Sequence, residues 1–140
     1  MRLRRPIALI LSAAALVAPA SAFATHSVGT SAQIAWVRRA ATNFVTAELS
    51  RNGTGACGIL NAPLRATLHR RTCAQRLDAR ATALLHSSAG RAQLHAQLRE
   101  IPAAVVIVHG NTAALTLPTP LMGNAANRFL WTENCWMLEG

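Results

Sequence analysis

Three cysteines are the residues of this sequence best suited to covalent chemistry. Cys57 and Cys73 lie 16 residues apart in a segment rich in Ala, Leu and Arg, and Cys135 lies near the end of the chain. Cysteines of an exported protein are expected to pair, so a Cys57–Cys73 disulfide is our leading interpretation, with Cys57–Cys135 as the main rival. We expect Cys135 to remain a free thiol, buried as a small side chain in a strand.

Metal binding is a third interpretation of the same residues. His69 and Cys73 are i and i+4 and would share a helix face, which Cys57 could approach. That set lacks one ligand, and zinc sites usually show tighter paired spacing. We therefore predict no metal site.

The side chains that usually carry acid–base catalysis are few and scattered. No two acids lie at a spacing that forces a paired-carboxylate site, and Asp78 sits between arginines, as expected of a solvated helix face. Among five histidines, His109 is the best placed, before Gly110 at a predicted strand end, although a solvated turn histidine is the simpler interpretation. The acids are Glu48, Asp78, Glu100, Glu133 and Glu139. The sequence carries no nucleophile elbow, phosphate loop or dinucleotide fingerprint, so we name no catalytic residue and no cofactor.

Arginine supplies all 14 basic residues of the chain, against five acids. Five of them crowd the middle of the chain, where only Asp78 offsets them. Such a patch could bind an anionic polymer of the cell envelope. The alternative is that arginine serves wherever a solvated charge is needed. Aromatic residues are only 4% of the chain, so we do not expect nucleic acid as a partner. The five are Arg65, Arg70, Arg71, Arg76 and Arg80.

The first 22 residues have the three parts of a signal peptide. Arginines open the chain, an apolar run follows over 7–17, and Ala20-Ser21-Ala22 provides the small-x-small cleavage pattern. The apolar run is roughly half of the ~20 residues that a transmembrane helix needs. We expect cleavage and a secreted protein that is not integral to the membrane, with an uncleaved anchor as the alternative. The segment 25–30 is small and polar, and we predict a flexible lead-in over 23–30. Eleven arginines against five acids leave a mature charge of +6.

Helical periodicity dominates the chain up to Pro102. One apolar stripe predicts a first helix, ended by Asn52-Gly53-Thr54-Gly55, and Glu48 lies off that stripe. Asn61 before Pro63 predicts a second helix start, and 87–90 a break between later helices. The stripe consists of Ile34, Val37, Ala41, Phe44, Val45 and Leu49.

β-branched and aromatic residues dominate the chain after Pro102. The segments 105–108 and 112–117 predict a hairpin with a turn at 109–111, and 128–132 and 135–138 predict two more strands. Runs of helices followed by runs of strands indicate an α+β domain over 31–140, with the helices packed on an antiparallel sheet of about four strands.

This order of elements resembles the nuclear-transport-factor-2-like cone fold, and in particular small secreted actinobacterial proteins of that fold. The resemblance rests on the strand-turn-strand pattern over 106–113 and on the aromatic strands over 129–138, and it covers residues 31–140. It implies a curved, cone-like sheet around the helices, often with an apolar pocket inside. The superfamily holds isomerases, dehydratases, epoxide hydrolases and non-catalytic binding modules, so fold alone does not assign function. Its enzymes rely on tyrosine or on a carboxylate–Arg–carboxylate relay, and this chain has no Tyr and no matching motif.

We therefore expect an exported, non-catalytic module that binds a small apolar or amphipathic ligand in the cone, or a protein partner on the sheet. The alternative is a small isomerase, dehydratase or hydrolase of the polyketide-cyclase-like type. Strand alternation puts Val106 and Val108 on one face of the sheet, likewise Phe129 and Trp131, and sends Cys135 and Trp136 to opposite faces. These residues could equally form a plain core. The predicted pocket residues are Val106, Val108, His109, Leu115, Leu117, Phe129 and Trp131.

Overall fold

The computed structural model describes residues 26–68, 72–122, 126–132 and 134–139. The predicted signal peptide and the first residues of the lead-in lie outside these ranges. Helices precede strands along the chain, which confirms the predicted α+β class. The elements are α1 (Ser31–Leu49), α2 (Gly53–Ile59), α3 (Ala62–Thr67), α4 (Cys73–His86), α5 (Ser88–Glu100), a 3-10 turn (Ile101–Ala103), β1 (Val105–His109), β2 (Thr112–Thr116), β3 (Ala126–Thr132) and β4 (Cys135–Leu138). None of the helices within those ranges is long and apolar enough to cross a membrane.

Helix α1 carries the predicted apolar stripe, and Thr30, the residue before its first helical residue, is its N-cap. The Thr30 side chain accepts a hydrogen bond from the Gln33 N–H at 3.1 Å, and the Gln33 side-chain oxygen accepts one from the Thr30 N–H at 2.9 Å. This reciprocal capping box satisfies two amides that the helix itself leaves unpaired. Val37, Phe44 and Val45 on the stripe are fully buried.

The glycine-rich segment after α1 is itself a helix, not only the break that the sequence predicted. The Asn52 side chain accepts from the Gly55 N–H at 2.8 Å and so caps α2. Gly53 lies so close to α4 that a Cβ there would collide with the Ala74 carbonyl oxygen and the Asp78 carboxylate. The absence of a side chain at Gly53 therefore permits the close approach of α2 and α4.

The four strands form one antiparallel sheet in the order β1-β2-β3-β4. Gly110, at φ +59°, forms the tight turn between β1 and β2 that the sequence predicted. Both edge strands gain a short extra pairing. Val28 exchanges two backbone hydrogen bonds of 2.8 Å with Val106 and Val108 of β1, and the Asn61 N–H donates to the Leu138 carbonyl oxygen of β4 at 2.9 Å. Within the expected lead-in, Val28 is thus held against the sheet.

Two acidic side chains make contacts between helices: Glu48, expected off the apolar stripe, and Asp78, expected on a solvated helix face. Glu48 is 1% exposed and forms an ion pair with Arg80. Arg80 also donates to the Leu121 carbonyl oxygen at 2.7 Å, and burial lowers the pKa of its guanidinium. Asp78 accepts from the Gly53 N–H at 2.7 Å. The placement of Glu48 off the stripe is therefore wrong, because Glu48 is i+4 from Phe44 and shares its buried face. Asp78 is half-buried, because its carboxylate faces α2 and not solvent alone.

The disulfide Cys57–Cys73 is confirmed, and it joins α2 to the first residue of α4 across a Cα–Cα distance of 6.0 Å. This pairing excludes the rival Cys57–Cys135 bridge. Cys135 is a free cysteine and is exposed, so the expectation of a buried thiol is wrong. Trp136 beside it is 5% exposed, so the two side chains do face opposite sides of the strand. The residues within the described ranges form no cluster of three metal-ligating side chains, and His69 lies outside those ranges.

Candidate functional site

Most of the predicted pocket residues belong to the packed core. The side chains of these core members lie between the sheet and the helices and are at most 7% exposed. This agrees with the alternative that these residues form a plain core. His109 is exposed at the end of β1 and borders none of the clefts described below. Trp131 is the member of the predicted set that lines a cleft. The core members are Val106, Val108, Leu115, Leu117 and Phe129.

All three tryptophans of the chain meet at one place, which we call the tryptophan cluster: Trp36, Trp131 and Trp136. The rings of Trp36 and Trp131 are stacked, with centroids 5.6 Å apart and an interplanar angle of 19°. The rings of Trp131 and Trp136 meet edge to face, at 5.5 Å and 65°. Both are favourable aromatic geometries.

Sheet register brings Trp131 and Trp136 together. The two residues are directly opposite in the β3–β4 pair. The Glu139 N–H donates to the Arg128 carbonyl oxygen at 2.8 Å, so Arg128 and Glu139 form a hydrogen-bonded pair. Hydrogen-bonded and non-hydrogen-bonded pairs alternate along an antiparallel ladder, so Trp131 and Trp136, three pairs further on, form a non-hydrogen-bonded pair. Side chains approach most closely at such pairs, which suits ring contact.

Helix α1 supplies the exposed member of the cluster. Trp36 lies beside the buried stripe, next to Val37, and remains 49% exposed while its ring stacks on Trp131. Gln33, Trp36, Ala40 and Asn43 follow one another at helical spacing and share one face of α1. That face borders open space instead of core.

Two clefts lie along this face, and all three rings of the tryptophan cluster line both of them. The larger cleft has a volume of about 330 Å³ and is bordered by α1, by the end of α2 and by β4. The smaller cleft has a volume of about 220 Å³ and lies toward the start of α1, where Gln33 faces the β1–β2 turn at Gly110 and Asn111. The larger cleft is also lined by Arg39, Ala40, Asn43, Gly58, Ile59, Asn134, Cys135 and Met137.

Trp136 contributes a polar group that lacks a partner. The residue is 5% exposed, and its indole Nε1 is buried without a hydrogen-bond acceptor among the residues that the structure describes. An indole nitrogen can only donate, and a buried donor without an acceptor costs about 1–3 kcal/mol.

Among the described residues that line the two clefts, Cys135 carries the one nucleophilic side chain. Cys135 borders the larger cleft, and its thiol donates to the Thr132 carbonyl oxygen at 3.4 Å. Neither cleft is lined by a histidine or a carboxylate within the described ranges, so the thiol has no general base beside it there. Glu133, which the sequence analysis considered, lies outside those ranges.

Sequence reasoning missed Trp36 and Trp136 as site residues. A signal was available, because Trp36 falls off the apolar stripe of α1, where a large aromatic residue has no place in the core. The contact of Trp36 with two tryptophans near the other end of the chain could not be inferred from spacing. No family model, curated protein or solved structure matches this chain.

Proposed function

We propose that this protein is an exported, non-catalytic binding module that holds an amphipathic ligand against the tryptophan cluster. The observation that carries the proposal is the convergence of all three tryptophans on two clefts, with one ring half exposed. Export is supported by the signal-peptide pattern of residues 1–22 and by the Cys57–Cys73 disulfide, which fits an oxidising compartment.

Membership of the nuclear-transport-factor-2-like superfamily is part of the same proposal. It is supported by the order of elements, in which helices precede a four-stranded antiparallel meander. The ligand site proposed here differs from the pocket that the resemblance implies. It lies at the β4 side of the sheet, beside α1, whereas five of the seven residues of the expected pocket are packed in the core.

The exposed half of Trp36 sets the scale of the binding energy. A tryptophan side chain can bury roughly 200 Å². Covering about half of that area, at about 25 cal/mol per Å², contributes on the order of 2.5 kcal/mol. Arg39, Asn43 and Asn134 at the rim of the larger cleft would orient the polar part of the ligand.

The fluorescent probe anilinonaphthalene sulfonate, which has aromatic rings and one anionic group, tests this proposal. We expect it to bind the folded protein with energy transfer from tryptophan to the probe. Trp36→Ala should weaken binding at least about tenfold, because it removes more than the 1.4 kcal/mol that a tenfold change requires.

Val28→Ala is the matched control. Among the described residues, Val28 is the other large apolar residue that is exposed, and its exposure is also 49%. We expect this variant to bind the probe as the wild-type protein does. Equal loss of binding in the two variants would mean that the probe reports exposed apolar surface in general, and the proposal would be wrong.

A further inference from the structure

We infer that the ligand of the tryptophan cluster is an acidic glycan chain, with a sugar ring stacked on Trp36 and its carboxylate or phosphate groups near Arg39. This inference rests on the proposed function and names the chemical class of the ligand. It is carried by four observations: the shape of the clefts, the exposed ring, the amide side chains around it and the charge of the lining.

The two clefts together suit a chain of rings better than one compact molecule. They lie on either side of Trp36, one toward Gln33 and the other toward Asn43. Ten residues separate Gln33 from Asn43, which corresponds to about 15 Å along a helix axis. A linear ligand could therefore place one ring on Trp36 and extend into the cleft on each side.

The half-exposed ring of Trp36 and its neighbours match the two kinds of surface on a sugar. A pyranose ring presents a face of C–H groups that packs on an aromatic ring, and hydroxyl groups around its edge. The side chains of Asn43, Asn111 and Asn134 border the clefts without hydrogen-bond partners in the part of the chain that the structure describes. Each amide can both donate and accept, as hydroxyl groups can.

The side chain of Gln33 is held so that it can donate a hydrogen bond to a ligand. Its side-chain oxygen accepts from the Thr30 N–H at 2.9 Å, and this leaves the amide NH₂ to donate. A purely apolar ligand would displace water from these amides and leave their hydrogen bonds unmade, which is unfavourable. A hydroxyl-rich ligand replaces them.

The charge of the lining favours an acidic ligand. No Asp or Glu lines either cleft within the described ranges, whereas Arg39 borders the larger one. Arg39 is exposed and has no ion pair or hydrogen bond with the residues that the structure describes. Arg38 beside it instead donates to the Ala104 carbonyl oxygen at 2.8 Å. Arg39 is therefore available to pair with a carboxylate or a phosphate.

Calorimetric titration with two pairs of hexasaccharides tests the inference. The acidic pair is oligogalacturonate and hyaluronan, and the neutral pair is cellohexaose and chitohexaose. At low ionic strength we expect at least one acidic hexasaccharide to bind at least about tenfold more tightly than either neutral one. Trp36→Ala should weaken the binding of that hexasaccharide at least about tenfold, in line with the loss of a stacked ring.

Arg39→Gln separates charge from stacking, and Arg99→Gln is its control, because Arg99 is an exposed arginine on α5 that lines neither cleft. Arg39→Gln should remove the preference for acidic chains, and Arg99→Gln should not change it. Three results would overturn the inference: equal affinity for acidic and neutral chains, Trp36→Ala binding like the wild type, or no hexasaccharide binding. In the last case, retained binding of anilinonaphthalene sulfonate would leave the proposed function standing without this class of ligand.

Discussion

Replacing Arg80 with methionine should lower the free energy of unfolding by about 3 kcal/mol, the cost of leaving a buried carboxylate without its cation. The Glu48 side chain is fully buried, and its ion-pair partner is Arg80. Arg80→Met also removes the hydrogen bond to the Leu121 carbonyl oxygen, which anchors the segment before β3. Urea denaturation of the variant and the wild type at neutral pH measures the difference.

The double variant Glu48→Leu, Arg80→Met is the control for this prediction. Removing both charges leaves no unpaired ion in the core, so the double variant should regain most of the stability that Arg80→Met loses. If the double variant were less stable than Arg80→Met alone, the charge of Glu48 would not be the cause of the loss, and this account of the ion pair would be wrong.

Replacing both Cys57 and Cys73 with serine should lower the free energy of unfolding by about 3 kcal/mol, the value expected when a disulfide closes a loop of roughly this length. The bridge spans 16 residues and ties α2 to α4, which also meet at Gly53 and Asp78. The unfolded chain gains freedom when the bridge is absent, and two short helices lose their covalent link. Thermal and urea denaturation of the two proteins measure the difference.

Reduction and thiol counting check the same bridge in the wild-type protein. Under a strong reductant the wild type should become as unstable as the serine variant, whereas the reductant should not affect the variant. A thiol reagent should modify one cysteine of the native protein, the exposed Cys135. Modification of three thiols after unfolding without a reductant would contradict the assigned pairing.

Local patterns in the sequence predicted the elements well because those patterns have local causes. The apolar stripe of α1, the proline after Ala62 and the Gly110 turn each act within a few residues. The disulfide was predicted as one of two pairings, and the structure selects Cys57–Cys73. In each case the deciding residues are close together in the chain.

Contacts between distant segments escaped prediction for a common physical reason. Glu48 is i+4 from Phe44 and lies on the buried face of its own helix, but its partner Arg80 on α4 could not be inferred from spacing within α1. Trp36 becomes a site residue only through Trp131, at the other end of the chain. Spacing within a helix or a strand identifies which face a residue occupies, but the partner of that face depends on how elements pack.

The central claim, that the tryptophan cluster is the ligand site, is tested most directly by the indole N–H signals in a heteronuclear NMR spectrum of nitrogen-labelled protein. The chain has three tryptophans, so the spectrum should contain three such signals, all from the cluster. During titration with anilinonaphthalene sulfonate we expect all three to shift. The signal of Trp36, whose exposed ring the probe covers, should move most. Indole signals that stay in place while the backbone signals of Arg65 and Arg76 shift would place binding on the arginine-rich helices and contradict the claim.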